Sequence, residues 1–320
     1  MKISSIIDIV NGVLQNSPAI SFITQSHTKL SKIKDGDLFI SSNEDEIKSA
    51  VKNGAFAIIY DIPLDISSFN TEIAYIKVAS IKDSCIRLLR FELSSSKINC
   101  LYCDDISFEL FNIYKNSNEI LCLSSDDFIN YENIMNNNNI KIIISKSQKY
   151  ISDIYPISCE FKIKHYNLQN LIVHSIFETS FSFNSKYFYK LKLPMIYIDR
   201  FISVIEYLNI DNIDTSKLKL FEYLKPIFIN KSMKIVEFGK SNMFVLANKH
   251  SNISYLEIAF IKKAYSYAKL VVLDSNTLNN NQIYTEISKY NYNALYIQNK
   301  SYTEIIELLL LNQKEQIQLF

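Results

Sequence analysis

Residues 34–59, KDGDLFISSNEDEIKSAVKNGAFAII, spell out a strand, a helix and a second strand. Asp35-Gly36-Asp37 is turn chemistry: glycine reaches left-handed backbone at little cost, and aspartate hydrogen-bonds nearby N–H groups. Leu38-Phe39-Ile40 is a short apolar run of strand type. The stretch from about Glu44 to Lys52 opens on Glu44-Asp45-Glu46, three acids that complement the positive end of a helix dipole. Asn53-Gly54 ends it, and Phe56–Ile59 forms the second strand. Two strands joined through a helix are parallel neighbours with a crossover. This part of the chain is therefore committed to α/β architecture.

The alternation continues. Ile3, Ile6, Ile7 and Val10 have helical spacing and end at Asn11-Gly12, with a strand expected at Ser21–Thr24. Ala74–Ser80 reads as a strand and Ile81–Leu93 as a closing helix. The polar Ser94–Lys97 stretch reads as a linker. Strands follow at Ile98–Cys103, Glu119–Leu123 and Lys141–Ser145, with a helix at Phe108–Tyr114 and the NNNN run, Asn136–Asn139, as a loop. After Pro156, EFKIKHYN and SFSFNSKYFYKLKLP alternate with period two, which predicts antiparallel strands. Ile198–Ile210 is an amphipathic helix, and Ser216–Tyr223 a second.

From Lys231, strands are expected at Lys234–Glu237 and Phe244–Leu246. A helix at Ser254–Tyr267 follows, with Leu256, Phe260, Ala264 and Tyr267 turned inward. KLVVLDS reads as a buried strand. A helix at Asn281–Tyr290, a strand at Ala294–Gln298, a helix at Thr303–Leu311 and a strand at Ile317–Phe320 complete the pattern. The predicted domains are 1–93, 94–230 and 231–320, all α/β.

Composition sets the outer limits. A chain of 320 residues holds two or three domains, and 48% hydrophobic residues supply the cores. A formal net charge of +1 removes any whole-chain field for nucleic acid or an anionic membrane. Nothing approaches the ~18–20 apolar residues of a membrane span, and Met1–Asp8 meets an acid too early for a secretory signal. Five cysteines, an odd number, do not form a disulfide framework. The expectation is a cytoplasmic protein with reduced thiols.

KIKDGDLFI and SAVKNGAFAII, in that order, resemble the first-domain signatures of the Mur ligases. These are ATP-driven enzymes that add amino acids to the peptidoglycan precursor. The nearest branch is the one that adds D-alanyl-D-alanine to UDP-MurNAc-tripeptide. Leu191-Lys192-Leu193-Pro194, leading into the helix through Leu208, is similar to the strand-to-helix passage late in that family's central domain. KSMKIVEFGKSNMFVLANKHSNISYLEIA is similar to the start of its third domain. The resemblance implies a three-domain architecture with a shortened central domain, 94–230, and a Rossmann-like C-terminal domain, 231–320.

The departures bear on function. The glycines are Gly12, Gly36, Gly54 and Gly239, with none between residues 55 and 238. A phosphate loop curls consecutive N–H groups around the phosphates, with glycines where a Cβ would block approach and a lysine for charge. Where the resemblance places that loop, the chain reads YCDDISFELF, Tyr102–Phe111, with Asp104 and Asp105 and neither glycine nor lysine. Lys29-Leu30-Ser31 replaces the family's acidic–hydroxyl–Arg run. The glycine-bearing loop after the first strand is cut to Ser41-Ser42-Asn43. The adenine-side asparagine has no counterpart near Ile198 and Asp199. Lys231-Ser232 replaces Gly-Arg, and Asn252-Ile253-Ser254 is a shadow of Asn-Pro-x-Ser.

Other constellations are sparse. Cys100 and Cys103 have CxxC spacing, but a zinc site needs a second pair, and a redox pair needs a helix N-terminus. Buried structural thiols are the expectation. His165 and His174, in or near period-two stretches, could be cross-strand neighbours. His27 is isolated in sequence. His250, Ser251 and Asn252, just before a helix, are a candidate small-molecule or anion site, set against the plainer reading of a capped helix start. Tyr187-Phe188-Tyr189 makes both faces of one strand aromatic and is a candidate packing or partner surface.

No catalytic, cofactor-binding or metal-binding residue is assigned, and no cofactor is expected. The reading is a Mur-ligase-like protein without the ligase apparatus. It would bind or scaffold cell-wall synthesis enzymes, with neither nucleic acid nor a membrane span involved. The alternative is an enzyme or small-ligand binder using a different site. A decaying gene product is a third reading, disfavoured by patterning that stays regular to the last residue.

Overall fold

Asp37 is buried and explains the first turn. Its carboxylate accepts from Thr24 Oγ1 at 2.6 Å, Gln25 N at 3.1 Å and Lys34 N at 2.9 Å. Gly36 N donates to Gly54 O at 3.0 Å, clamping this turn to the next. Gly54 has φ +94°, and a Cβ there would meet Asp35 Cα at 3.0 Å, so the position requires glycine. The computed structural model describes residues 1–67, 69–289 and 291–318. They divide into two compact units, Met1–Phe108 with Lys115–Lys162, and Glu109–Tyr114 with Ile163–Phe320.

The first unit contains two sheets. The elements of the first are α1 (Ile3–Val10), β1 (Val13–Leu14), β2 (Ser26–His27), β3 (Leu38–Ile40), α2 (Glu44–Lys52), β4 (Ala57–Tyr60), β5 (Ala74–Lys77) and α3 (Ile81–Ser94). The strand order is β1-β5-β4-β3-β2, parallel except for β1. Asn43 caps α2, accepting from Asp45 N and Glu46 N, and the three acids occupy its first turn as expected. The strand expected at Ser21–Thr24 is reduced to a bridge between Lys2 and Phe22. The pairing strand is β2, two residues long and without a period to read.

The second sheet follows Ser94–Lys97, which lies inside this unit. Its elements are β6 (Asn99–Tyr102), α4 (Asp105–Tyr114), β7 (Ile120–Cys122), α5 (Asp127–Met135), β8 (Ile142–Ser145), α6 (Gln148–Ile154) and β9 (Cys159–Glu160). The order is β7-β8-β6-β9, all parallel. Cys85, Leu88, Leu89 and Leu93 of α3 join a core that runs from Ile3 to Ile154.

The second unit holds an antiparallel sheet of β10 (Gln169–Ser175), β11 (Glu178–Phe183) and β12 (Lys186–Leu191). Asn184 and Ser185 both have positive φ, 47° and 61°, the backbone of a type I′ hairpin turn. EFKIKHYN, read as a strand, is irregular beyond Glu160. Instead Lys164 and Tyr166 turn their N–H groups to Ser203 Oγ (3.0 Å) and Asp199 (3.3 Å). Helix α7 (Ile198–Tyr207) buries Ile198, Phe201, Ile202 and Ile205. Thr215–Leu220 is a 3-10 turn rather than an α-helix.

The last sheet comprises β13 (Ile227–Phe228), β14 (Phe244–Asn248), β15 (Leu270–Asp274) and β16 (Ala294–Gln298), ordered β13-β14-β16-β15. Only β13 is antiparallel. Its helices are α8 (Ser251–Ala264), α9 (Asn280–Ser288) and α10 (Tyr302–Gln318). Lys234–Glu237 forms no strand; Ile235 makes one bridge with Ile229. The C-terminal strand expected at 317–320 is overturned at 317–318, where α10 continues. Residues 319, 320 and Tyr290 lie outside the described residues. No helix among the described residues is long and apolar enough to cross a membrane.

Helix α8 is rotated from its expected face. Ile253, Ser254, Glu257 and Ile261 are buried, while Leu256 is 55% exposed, Ala264 at the helix end is exposed, and Tyr267 lies beyond the helix and is 85% exposed. Ile253, Glu257 and Ile261 form one i, i+4, i+8 line. The inward charge is accepted because buried donors meet it, as described below. β15 is an edge strand, which leaves Val272 partly exposed on a strand expected to be buried.

Candidate functional site

The C-terminal ends of parallel strands are where α/β sheets bind ligands. In the β7-β8-β6-β9 sheet this edge holds the turn from β6 into α4. The turn is two residues long, Cys103 and Asp104, and Cys103 N donates to Ser145 O at 3.0 Å. Asp104 is the helix cap: its Oδ1 accepts from Ser107 N at 2.7 Å. Asp105, the first helical residue, pairs with Lys146 at 3.2 Å, and the Lys146 ammonium lies 5.4 Å from the Phe108 ring centroid. A helix N-terminus attracts anions through its unpaired N–H groups and dipole. Here the chain's own carboxylate meets that demand.

Beside the turn is a cleft of about 620 Å³. Ser124, Ser145 and Ser147 line it with Lys82, Lys146 and Lys149, and Asp83, Asp127 and Asp153 balance the lysines. Lys82 and Asp127 pair at 2.7 Å. The helices that start here are also self-capped, α5 by Asp126 (Phe128 N at 2.9 Å) and α6 by Ser147 (Tyr150 N at 3.2 Å). Cys103 is buried at this end of β6, and Cys100 is buried within the strand. Burial pushes the Cys100 thiol up to about 12. Burial, with Asp104 adding to it, raises Cys103 further. Neither is a ready thiolate.

A second polar cluster joins α5 to the segment after β2. Glu132, 1% exposed, accepts from Thr28 N, from Lys29 N at 3.0 Å and from Asn136 Nδ2 at 3.1 Å. It also lies 3.2 Å from His27 Nδ1 and 3.4 Å from Lys32 Nζ. His27 Nε2 faces Asp37 at 3.6 Å. Burial would raise the Glu132 carboxyl, but hydrogen bonds from Thr28 N, His27 and Lys29 N outweigh it and hold the group below its ordinary range. The backbone around Lys29-Leu30-Ser31 thus directs N–H groups at a protein carboxylate.

In the second unit, Glu257 is buried beneath the end of β14. It accepts from Tyr197 Oη at 2.5 Å, from Tyr296 Oη and from Asn248 Nδ2 at 3.1 Å. Burial pushes its carboxyl up against these bonds, and burial with the adjacent carboxylate pushes the Tyr197 phenol up as well. Sequence reasoning missed this cluster. The available signal was the placement of Glu257 midway between Ile253 and Ile261 on one helix line.

The predicted site residues separate. His250 occupies the cap position of α8 without a side-chain cap bond; its N–H donates to Asn248 Oδ1 at 2.9 Å, and its ring lies 6.4 Å from Tyr223. Ser251 and Asn252 are exposed. Phe188 is 8% exposed, against Phe181 at 5.0 Å and Phe201 at 6.4 Å. Tyr187 and Tyr189 are 53% and 66% exposed on the other face, as strand alternation requires. His165 and His174 are not cross-strand neighbours. His165 pairs with Asp199 at 2.8 Å, and His174 bonds Ser180 Oγ at 2.7 Å.

A mixed α/β chain with this succession of parallel sheets has the fold of a Mur ligase. Among solved structures it is similar to MurF ligase from Thermotoga maritima in complex with ADP, with a TM-score of 0.50 and 12% identity over 89% of this chain and 96% of that one. It is also similar to MurF from Acinetobacter baumannii, with a TM-score of 0.52 and 9% identity over 98% and 93% of the two chains. A second A. baumannii structure, described as UDP-N-acetylmuramoylalanyl-D-glutamyl-2,6-diaminopimelate--D-alanyl-D-alanyl ligase, has a TM-score of 0.51 and 9% identity over 98% of each chain. At such identities the likeness concerns the fold. No protein-family model matches the sequence, and no curated protein matches it.

Proposed function

We propose that this chain keeps a Mur ligase scaffold without the ligase chemistry, and serves as a cytoplasmic binding or scaffolding component linked to peptidoglycan precursor synthesis. The observation that carries the reading is the β6–α4 turn. Asp104 caps the helix where a phosphate would have to sit, the stretch Tyr102–Phe111 contains neither glycine nor lysine, and the nearby Lys146 is paired with Asp105. A phosphate charge about 4 Å from a carboxylate is repelled by roughly 4 kcal/mol at an effective dielectric of 20. Calorimetric titration with Mg·ATP is expected to give no saturable heat, and a micromolar dissociation constant would overturn the reading.

The link to cell-wall synthesis follows from the likeness in fold. It is tested by a pull-down from the native organism with mass spectrometry. Enrichment of cell-wall enzymes supports it, and their absence removes it. The 620 Å³ cleft beside the turn favours a second reading, a small-ligand site without nucleotide chemistry. A metabolite that copurifies with the protein would select that reading.

A further inference from the structure

The second unit encloses a smaller cavity of about 260 Å³. One wall is aromatic: Phe177, Phe228 and Phe238 meet edge to face, with centroids 5.1–6.3 Å apart. Lys192, Lys219 and Lys225 line it too, and among the described residues no aspartate or glutamate does. The Lys192 ammonium lies 4.9 Å from the Phe238 centroid. The Lys225 ammonium lies 4.4 Å from the Tyr302 centroid and donates to Lys219 O at 2.5 Å. Each ammonium carries three donors, so a backbone bond and a ring contact leave capacity for an anion.

Lys225 is half-buried, and burial lowers its pKa; Glu222 and Glu109, which are not part of the lining, oppose that. An apolar slot with positive charge on its lining is matched by a ligand with an apolar body and one anionic end. The volume is below the ~300–1,000 Å³ of drug-sized pockets, which limits the body to about one ring.

We propose that this cavity binds a compact organic carboxylate with an aromatic or branched apolar body, its body against Phe177, Phe228 and Phe238 and its carboxylate at Lys192, Lys219 and Lys225. The site is separate from the β6–α4 turn, and its occupancy stands or falls independently of the non-catalytic reading.

The probe is phenylacetate, with neutral phenylacetamide as the control, followed by ligand-observed NMR on the full chain at low ionic strength. Saturable binding of phenylacetate is expected, with the amide weaker by about fivefold or more because it lacks the charge. Lys192 and Lys219 are both exposed, so a Lys192→Met, Lys219→Met double variant retains the fold, checked by an unchanged denaturation midpoint. It should weaken phenylacetate by a similar factor and leave the amide unaffected. Phe238→Ala should weaken both ligands. No binding up to about 10 mM, equal binding of acid and amide, or acid binding unchanged in the double variant would each overturn the proposal.

Discussion

Replacing Glu132 tests whether the α5 contact is held by charge or by shape. In Glu132→Leu, the N–H groups of Thr28 and Lys29 lose their acceptor in a buried setting, and His27 and Lys32 lose their shared carboxylate. Each orphaned donor costs about 1–3 kcal/mol, while the contact to Lys32, whose side chain is about half exposed, adds at most about 1 kcal/mol. The expected loss is about 2–5 kcal/mol. Glu132→Gln keeps one oxygen for the backbone donors. Its amide nitrogen would face His27 Nδ1 and Asn136 Nδ2, which are now 3.2 and 3.1 Å from the carboxylate, and the loss should be about 1–3 kcal/mol.

The sign with pH follows from the depressed carboxyl. A folded pKa below the unfolded value contributes stability that is present above the unfolded pKa of ~4.3 and lost as pH falls through the folded one. The gap between wild type and Glu132→Gln should therefore be full at pH 7 and shrink progressively below about pH 4.3. Urea unfolding followed by circular dichroism, at a series of pH values, measures both quantities. A Glu132→Gln protein as stable as wild type at pH 7, or a gap that does not move with acid, refutes the argument.

Asp104→Ala should cost about 0.5–2 kcal/mol through loss of the α4 cap, and sulfate should stabilise this variant more than wild type; equal responses to sulfate would show that the carboxylate does not occupy an anion position. Phe188→Ala should lose about 3–5 kcal/mol in urea unfolding, as a large buried truncation, whereas Tyr187→Ala and Tyr189→Ala should stay within about 0.5 kcal/mol as surface changes. Glu257 has the opposite pH sign to Glu132. Its raised folded pKa means that stability falls as pH rises from the unfolded value through the folded one. Glu257→Gln should therefore gain on wild type as pH rises above the unfolded value of ~4.3, and a constant difference in unfolding free energy would contradict that.

Much of the architecture is legible locally. The turns at Gly36 and Gly54, the acid-led start of α2 and the alternation of strands with helices need no distant partner, because backbone conformation and helix capping act within a few residues. The lack of glycine between residues 55 and 238 likewise constrains any phosphate loop before the fold is known. Strand alternation separated Phe188 from its two tyrosine neighbours in advance.

What only tertiary structure decided is where the partner lies far away. β2 and β13, two residues each, exist because a neighbouring strand offers hydrogen bonds; two residues carry no periodicity. β10 was unreadable for a related reason, since Gln169–His174 are all exposed and have no apolar alternation. His27 and Glu132 are 105 positions apart, and nothing near either marks the other. Helix α8 shows the limit most directly: hydrophobicity turned Leu256 inward, but Tyr197, Asn248 and Tyr296 supply three donors to Glu257, so the buried face includes the charge. Burying a carboxylate is costly unless donors are already in place, and those donors come from three other segments of the chain.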